Sequence, residues 1–152
     1  MKSIVYTQGD KNSTTLLNHV NIRDVLMDSA FNTAGALGWH ELTTHDTEEA
    51  MRFYGEVFGW QFRTVKMPHG QYHLIENQGV GIGGITDNLI PALPSHWTGY
   101  VTVADVDLVA INAKKLGGDI LFGPEDIPKV GRFCWIKDPQ GAIIAAISYL
   151  SA

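Results

Sequence analysis

Four side chains of the kind that bind metal ions lie close together in the segment GWHELTTHD, residues 38–46. They are His40, Glu41, His45 and Asp46. Imidazole and carboxylate groups at short spacing are typical of sites for zinc and other divalent ions. The residue types therefore raise the hypothesis of a metal centre, and the local backbone conformation decides whether these groups can meet.

The backbone pattern of this segment is that of a strand followed by a helix. Residues 39–44 alternate as a β-strand does, and residues 45–47, HDT, are of the kind that caps a helix. Because strand side chains alternate between two faces, Glu41 and His40 point in opposite directions. His45 lies on the side of Glu41 but about two residues, roughly 6–7 Å, further along. We therefore expect His45 to belong to the helix cap, and the two histidines not to chelate together.

The bulk composition of the 152-residue chain is that of one globular domain, with 45% hydrophobic and 18% charged residues. A formal charge of −5 disfavours nucleic acid and anionic membranes as partners. Cys134 is the only cysteine, which excludes an intramolecular disulfide and a thiolate metal cluster. The chain has no run of about 18 apolar residues, and its N-terminus lacks the apolar core of a signal peptide. We therefore expect a cytoplasmic protein.

The chain divides into a weakly patterned extension and two similar halves. Residues 1–37 form the extension, in which NHVNIRDVLMDSAF could make a short helix or an arm. From residue 38 the pattern predicts a strand, a helix and three strands, and the same order then repeats. The segment ENQGVGIGGI of the first half corresponds to DPQGAIIAAI of the second. A duplicated βαβββ unit explains the pattern, with module one at 38–87 and module two at 96–150 of a single domain, 38–150.

Over about residues 38–150 the sequence resembles the vicinal oxygen chelate superfamily. The resemblance rests on WHELTTHDTEEAMRFYGEVFGW, HWTGYVTVADVD and KLGGDILFGPEDIPKVGRFCWIKDPQGA, taken in this order. The superfamily includes glyoxalase I, bleomycin-resistance proteins, fosfomycin-resistance enzymes and extradiol dioxygenases, and the chain resembles its glyoxalase-like or hydroxylase-like bacterial branch. The resemblance implies an α+β fold in which two βαβββ modules form a curled mixed sheet, or cup, usually within a homodimer. Function does not follow, because the superfamily hosts isomerases, dioxygenases, transferases and binding proteins.

The resemblance also implies where metal ligands would lie. Metal-dependent members carry His, Gln or Glu on the first and last strands of each module, and none of the corresponding residues here is a normal ligand for a divalent ion. We therefore expect a metal-free site without a cofactor. A metal-dependent lyase or dioxygenase with an unorthodox site around Glu41, His96 or His45 stays open as the alternative. The four corresponding positions are Trp39, Gly83, Thr98 and Ala145.

By the same resemblance, aromatic side chains line the cup and suit a flat or apolar small organic ligand. Burial of Glu41 among them would raise its pKa and cost free energy unless the carboxylate is paired or protonated. We predict that Glu41 binds the ligand or acts as acid or base, whereas an ion pair with Arg63, Arg132 or Lys137, or a position at the solvated rim, would make it structural. A cup filled by its own side chains would instead indicate a structural or interaction module. The predicted ligand contacts are Trp39, Glu41, Tyr72, Thr98, Tyr100, Phe133 and Trp135, with Leu74 on the same face.

The residues between these positions should point away from the cup. His73 and Cys134 are two of them, and Cys134 is expected to be a packed, inert thiol. The glycine-rich segment GVGIGGI lacks the Lys-Ser/Thr of a phosphate loop. It is predicted to be a strand whose glycines leave room in the cup.

Overall fold

The computed structural model describes residues 30–67, 70–88 and 90–150. Most of the helix predicted from NHVNIRDVLMDSAF lies outside these residues, and residues 30–32 are helical. No helix in the described ranges has the length and apolar character needed to cross a membrane.

The described chain consists of two βαβββ units, in the element order that the sequence predicts. The first unit comprises β1 (Leu37–Thr44), α1 (Thr47–Phe58), β2 (Gln61–Met67), β3 (Gly70–Asn77) and β4 (Val80–Asp87). The second unit comprises β5 (His96–Thr102), α2 (Val106–Lys115), β6 (Asp119–Ile127), β7 (Gly131–Lys137) and β8 (Ile143–Tyr149).

An aspartate starts each helix. The side chain of Asp46 accepts a hydrogen bond from the backbone N–H of Glu49 at 2.9 Å, and Asp105 accepts one from Leu108 at 2.9 Å. Each bond satisfies an amide that the first turn of a helix leaves unpaired. The imidazole of His45 lies instead 3.2 Å from the carbonyl oxygen of Leu93. Asp46 therefore makes the predicted cap, and the expectation that His45 shares in it is wrong.

The eight strands form one mixed sheet in the order β2-β3-β4-β1-β5-β8-β7-β6. At its centre β1 and β5 pair antiparallel, with Trp39 opposite Tyr100 and Glu41 opposite Thr98. Outside this pair, β1 runs parallel to β4 and β5 parallel to β8. The two units therefore meet at one seam between their first strands, which is the duplicated architecture expected from the sequence.

The two faces of the sheet bury different clusters. On the outer face α1 packs over Leu42, Ile75 and Ile85, while α2 packs over Cys134 and Ala146. The inner face carries a cluster of Tyr100, Trp135, Ala145 and Ile147. Residues of all eight strands line one cavity on the inner face, so the sheet is curled around it as a cup.

Candidate functional site

A cavity of about 280 Å³ lies in the concave face of the sheet. Its wall is aromatic and apolar, and both modules contribute to it. Six of the seven predicted ligand contacts lie in this wall: Trp39, Glu41, Tyr72, Tyr100, Phe133 and Trp135. The cup is therefore not filled by its own side chains, which disfavours the structural or interaction module.

Two tyrosines hold the carboxylate of Glu41. The Tyr100 hydroxyl donates to Glu41 Oε1 at 2.7 Å, and the Tyr72 hydroxyl is also hydrogen-bonded to Glu41. Each tyrosine oxygen in turn accepts from an indole: Trp135 Nε1 lies 3.0 Å from Tyr100 and Trp39 Nε1 lies 2.8 Å from Tyr72. Each module thus supplies one tyrosine–tryptophan pair. In both pairs the indole donates to the tyrosine and the tyrosine donates to the carboxylate of Glu41.

Burial dominates the electrostatics of Glu41, which is 7% exposed. Removal from water raises the pKa of the Glu41 carboxyl, and the opposing effects of Tyr100, Tyr72 and His96 are smaller. Burial and the neighbouring carboxylate raise the pKa values of both tyrosines well above the usual range. Tyr72 and Tyr100 are therefore neutral donors at physiological pH, while Glu41 ionises closer to neutrality than an exposed glutamate does.

The cations that could have paired with Glu41 bind other acids. Arg63 pairs with Glu76 at 2.8 Å, and Lys137 pairs with Asp119 at 2.9 Å. Arg132 pairs with both Asp107 and Asp126, each at 2.9 Å. Tyrosine hydroxyls rather than one of these ion pairs therefore hold Glu41, and the three ion pairs expected as alternatives do not form.

On β4, Gly84 lies on the inner face beside Glu41, not Gly83 as expected, and Thr86 on the same face lines the cavity. Glu41 is opposite Gly84 across β1 and β4, and a Cβ at Gly84 would overlap the Tyr72 hydroxyl. A Cβ at Gly83 would instead meet the backbone oxygen of His40, 2.6 Å away. The cause is a β-bulge at Ile82, which gives β4 one residue more than the equivalent strand β8. A position counted from the QG sequence that precedes both strands is therefore wrong by one residue on β4.

The positions that correspond to metal ligands in the superfamily do not fit a divalent ion. With Gly84 corrected they are Trp39, Gly84, Thr98 and Ala145, which offer at most one hydroxyl oxygen where three or four donors are needed. In residues 30–67, 70–88 and 90–150, no three His, Cys, Asp or Glu side chains come close enough to hold a metal ion. His45 lies against Leu93, so the unorthodox site expected as an alternative is not assembled there either.

Thr98 shares the inner face with Glu41, but it does not line the cavity, contrary to the prediction. It is 1% exposed, and its hydroxyl has no hydrogen-bond partner in the described part of the chain. The hydroxyl of Thr43 and Nε2 of His96 are likewise buried and unpaired within these ranges. His96 lies opposite Thr43 in the strand register, and its Nδ1 is 2.7 Å from the Pro94 carbonyl oxygen. A layer of unpaired polar groups therefore adjoins Glu41.

The residues expected to face away from the cup do so. His73 is buried and its Nδ1 lies 2.8 Å from the Thr64 hydroxyl. Cys134 is fully buried under α2, and burial raises the pKa of its thiol. Neither contributes to the cavity wall. Leu74, which was expected beside Tyr72 in the cup, packs near Gly81 and is not part of the wall.

The cavity also contains residues that the sequence analysis missed. The Phe31 ring lies 5.3 Å from that of Tyr149 and 6.3 Å from that of Trp39, and Phe122 stacks on Phe133 at 5.7 Å. The Tyr149 hydroxyl is buried without a partner among the described residues, and burial raises its pKa to about 12. Tyr149 alternates with Ile147 on β8, so strand periodicity was a usable signal for it. Phe31 precedes the first module and had no such signal.

The family model of the Glyoxalase/Bleomycin resistance protein/Dioxygenase superfamily matches residues 36–145. The chain belongs to this superfamily, as its resemblance implied. Among curated proteins it is 37% identical to "Putative glyoxylase CFP32" of Mycobacterium tuberculosis over 117 residues, which are 76% of this chain and 45% of that protein. It is 27% identical to "Anthracycline biosynthesis protein DauV" of Streptomyces sp. (strain C5) over 126 residues, 73% and 46% of the two chains. The chain thus spans about half the length of the curated relatives it matches.

Solved structures share the fold at low sequence identity. The methylmalonyl-CoA epimerase of Mycobacterium tuberculosis matches with a TM-score of 0.53 and 13% identity over 74% of this chain and 87% of that one. A hypothetical protein, BH1468 of Bacillus halodurans C-125, matches with a TM-score of 0.55 and 9% identity over 79% and 98%. At such identities the likeness shows the fold alone, and it confirms the predicted curled sheet.

Proposed function

We propose that the cavity binds a small, flat and mainly apolar organic molecule without a metal ion, and that Glu41 is its polar contact. The observation that carries the proposal is a buried carboxylate, held by two tyrosines, in an otherwise aromatic cavity. In this proposal Glu41 accepts a hydrogen bond from the ligand or exchanges a proton with it.

The wall of the cavity supports the flat, apolar shape of the ligand. Aromatic rings offer large planar surfaces, and they gain free energy by removing similar surfaces of a ligand from water. A volume of about 280 Å³ is just below the usual range of small-molecule pockets, roughly 300–1,000 Å³. It suits a molecule of about two fused rings better than a long chain.

The hydrogen bonds of Glu41 support its role towards a ligand. An ionised carboxylate has about four acceptor sites, and the tyrosines occupy two of them. The remaining sites are available to an O–H or N–H group of the ligand. Because burial raises the pKa of Glu41, its carboxyl also exchanges protons nearer to neutral pH, where a general acid or base is most effective.

The name of one relative agrees with this type of ligand. DauV is named for anthracycline biosynthesis, and anthracyclines are flat polycyclic aromatic compounds. Its 27% identity to this chain extends over less than half of DauV, so the relative supports the ligand class and not a particular reaction.

The binding test uses naphthol as a flat probe with one hydroxyl donor, titrated by tryptophan fluorescence and by calorimetry. We expect saturable binding at one site per chain. Glu41→Gln should weaken it by about tenfold, because a neutral amide oxygen accepts a weaker hydrogen bond than a carboxylate does, without lowering the melting temperature. Glu48→Gln, on the exposed side of α1, is the matched control. Absence of saturable binding contradicts the proposal, and equal affinity of the two variants makes Glu41 structural.

The metal-free part of the proposal has a separate test. Protein purified without a histidine tag is analysed for metals by mass spectrometry, and we expect substoichiometric amounts only. One zinc, nickel, iron or manganese per chain, retained after dialysis, would favour the metal-dependent lyase or dioxygenase instead.

We also propose that the protein is a homodimer, as the resemblance implied. Light scattering during size-exclusion chromatography measures the mass directly. A single peak at the mass of one chain, 16.7 kDa, contradicts this proposal.

A further inference from the structure

We propose that the ligand carries a protonated amine, which sits among the aromatic rings of the cavity and pairs with Glu41. This inference rests on the proposed function and adds the charge of the ligand to it.

The charged side chains that the described residues contribute to the cavity wall are acidic. Glu41 lies inside, and Glu125 and Asp126 of β6 join the wall. Among the described residues that line the cavity there is no Lys, Arg or His. Arg132 neutralises Asp126, but it pairs with Asp107 as well, so this cluster has no excess of positive charge. A carboxylate or phosphate of a ligand would therefore meet repulsion rather than a partner.

Among the described residues no side chain forms an ion pair with Glu41, although the imidazole of His96 is close enough to lower the pKa of Glu41. The hydrogen-bond donors of Glu41 are the neutral hydroxyls of Tyr72 and Tyr100, and the arginines and lysine discussed above bind other acids. A buried carboxylate is stabilised most by a charged donor, and an ammonium group supplies up to three N–H groups with a full positive charge. A ligand amine would form an ion pair with the Glu41 carboxylate.

The aromatic wall favours the same group. The faces of tryptophan, tyrosine and phenylalanine rings attract cations, and cages of aromatic rings recognise ammonium groups. The hydrogen bonds of Trp39 to Tyr72 and of Trp135 to Tyr100 fix the positions of these rings. The Tyr149 hydroxyl, buried and unpaired among the described residues, adds an oxygen that can accept from an N–H group.

The test compares three probes that share one ring system: naphthylmethylamine, naphthylmethanol and naphthoic acid. At neutral pH they are cationic, neutral and anionic. Calorimetric titration of the full chain should give the order amine, alcohol, acid, with about tenfold between successive probes. In Glu41→Gln the amine and the alcohol should bind within about threefold of each other, because the ion pair is lost. The Glu48→Gln control should retain the full preference for the amine.

The outcomes separate this inference from the proposed function. If the alcohol binds and the amine binds no more tightly, the proposed function stands and the inference that the ligand carries an amine is wrong. If the preference for the amine persists in Glu41→Gln, the assignment of the ion pair is overturned. If none of the three probes binds, the proposed function and the inference fail together.

Discussion

The Tyr100 hydroxyl and the Glu41 carboxylate are joined at 2.7 Å across the seam between the two modules. In the strand register Glu41 is opposite Thr98 and Tyr100 is opposite Trp39, so the bond runs diagonally from β5 to β1. Glu41 and Tyr100 also precede the capping aspartate of the following helix by the same number of residues. They are therefore equivalent positions of the duplicated unit, and the candidate site is built on the axis that relates its two halves.

The stability of the protein should depend on pH through Glu41. The pKa of Glu41 is raised above 4.5 in the fold, so the folded protein favours the protonated carboxyl. The contribution of Glu41 to the free energy of unfolding is therefore complete below pH 4.5 and is lost as the pH rises through the folded-state pKa. Glu41→Gln, which cannot ionise, should therefore gain in stability relative to wild type as the pH increases over this window. Urea unfolding from about pH 4 to about pH 8 measures this difference. A difference in the free energy of unfolding that is constant with pH contradicts the raised pKa. The control is Glu48→Gln.

Tyr100→Phe should destabilise the protein by about 1–3 kcal/mol, because it removes a donor from Glu41 and the acceptor of Trp135. Combined with Glu41→Gln, it should give a coupling energy of roughly 1 kcal/mol, since each change removes part of the same interaction. Urea unfolding of the two single variants and the double variant measures the cycle. Simple additivity would mean that the hydrogen bond contributes nothing to the fold.

Thr43→Val and Thr98→Val should each stabilise the protein by about 1 kcal/mol. Both hydroxyls are buried without a partner in the described ranges, and valine has nearly the same shape without the group that must be removed from water. Thr102→Val is the matched control, because the Thr102 hydroxyl donates to the Ala30 carbonyl at 2.7 Å and its loss should destabilise. Destabilisation by all three changes would contradict the absence of partners at Thr43 and Thr98.

Alanine at Gly83 and at Gly84 should have different effects. At Gly84 the added Cβ meets the end of the Tyr72 side chain, which can be displaced from Glu41, so binding of naphthol should weaken by about tenfold. At Gly83 it meets the His40 backbone at 2.6 Å, so the main loss should be in stability, by roughly 1–3 kcal/mol. Melting curves and naphthol titrations of both variants separate the two effects. The reverse pattern would contradict the assignment of Gly84 to the inner face of the sheet.

The fold followed from local signals in the sequence. Alternation of side chains identified the strands. The aspartates before Thr47 and Val106 marked the helix starts, because each helix start depends on one hydrogen bond between residues three apart in the sequence. The bulge at Ile82 has no such signal, since an extra residue in a strand becomes evident only against its pairing partner. Counting residues was therefore reliable on β1 and β5 and failed on β4.

The sequence predicted on which face of the sheet each site residue lies, but not whether its side chain reaches the cavity. The face of each strand placed Glu41 and Tyr100 correctly in the wall, but it placed Thr98 there as well, and the structure buries Thr98 completely. The contact of Tyr72 with Glu41 was not foreseen either. It crosses the intervening strand β4 and depends on the missing side chain at Gly84, which is a property of three strands packed together.

The seam between β1 and β5 constrains how such a site can arise. Two identical modules would place the same residue at both equivalent positions, so two carboxylates would repel each other and two tyrosines would have no anion to hold. A glutamate facing a tyrosine requires that the two halves differ in sequence. The polar centre of this cup is therefore a product of divergence after duplication, and it could not have existed in a symmetric pair of single modules.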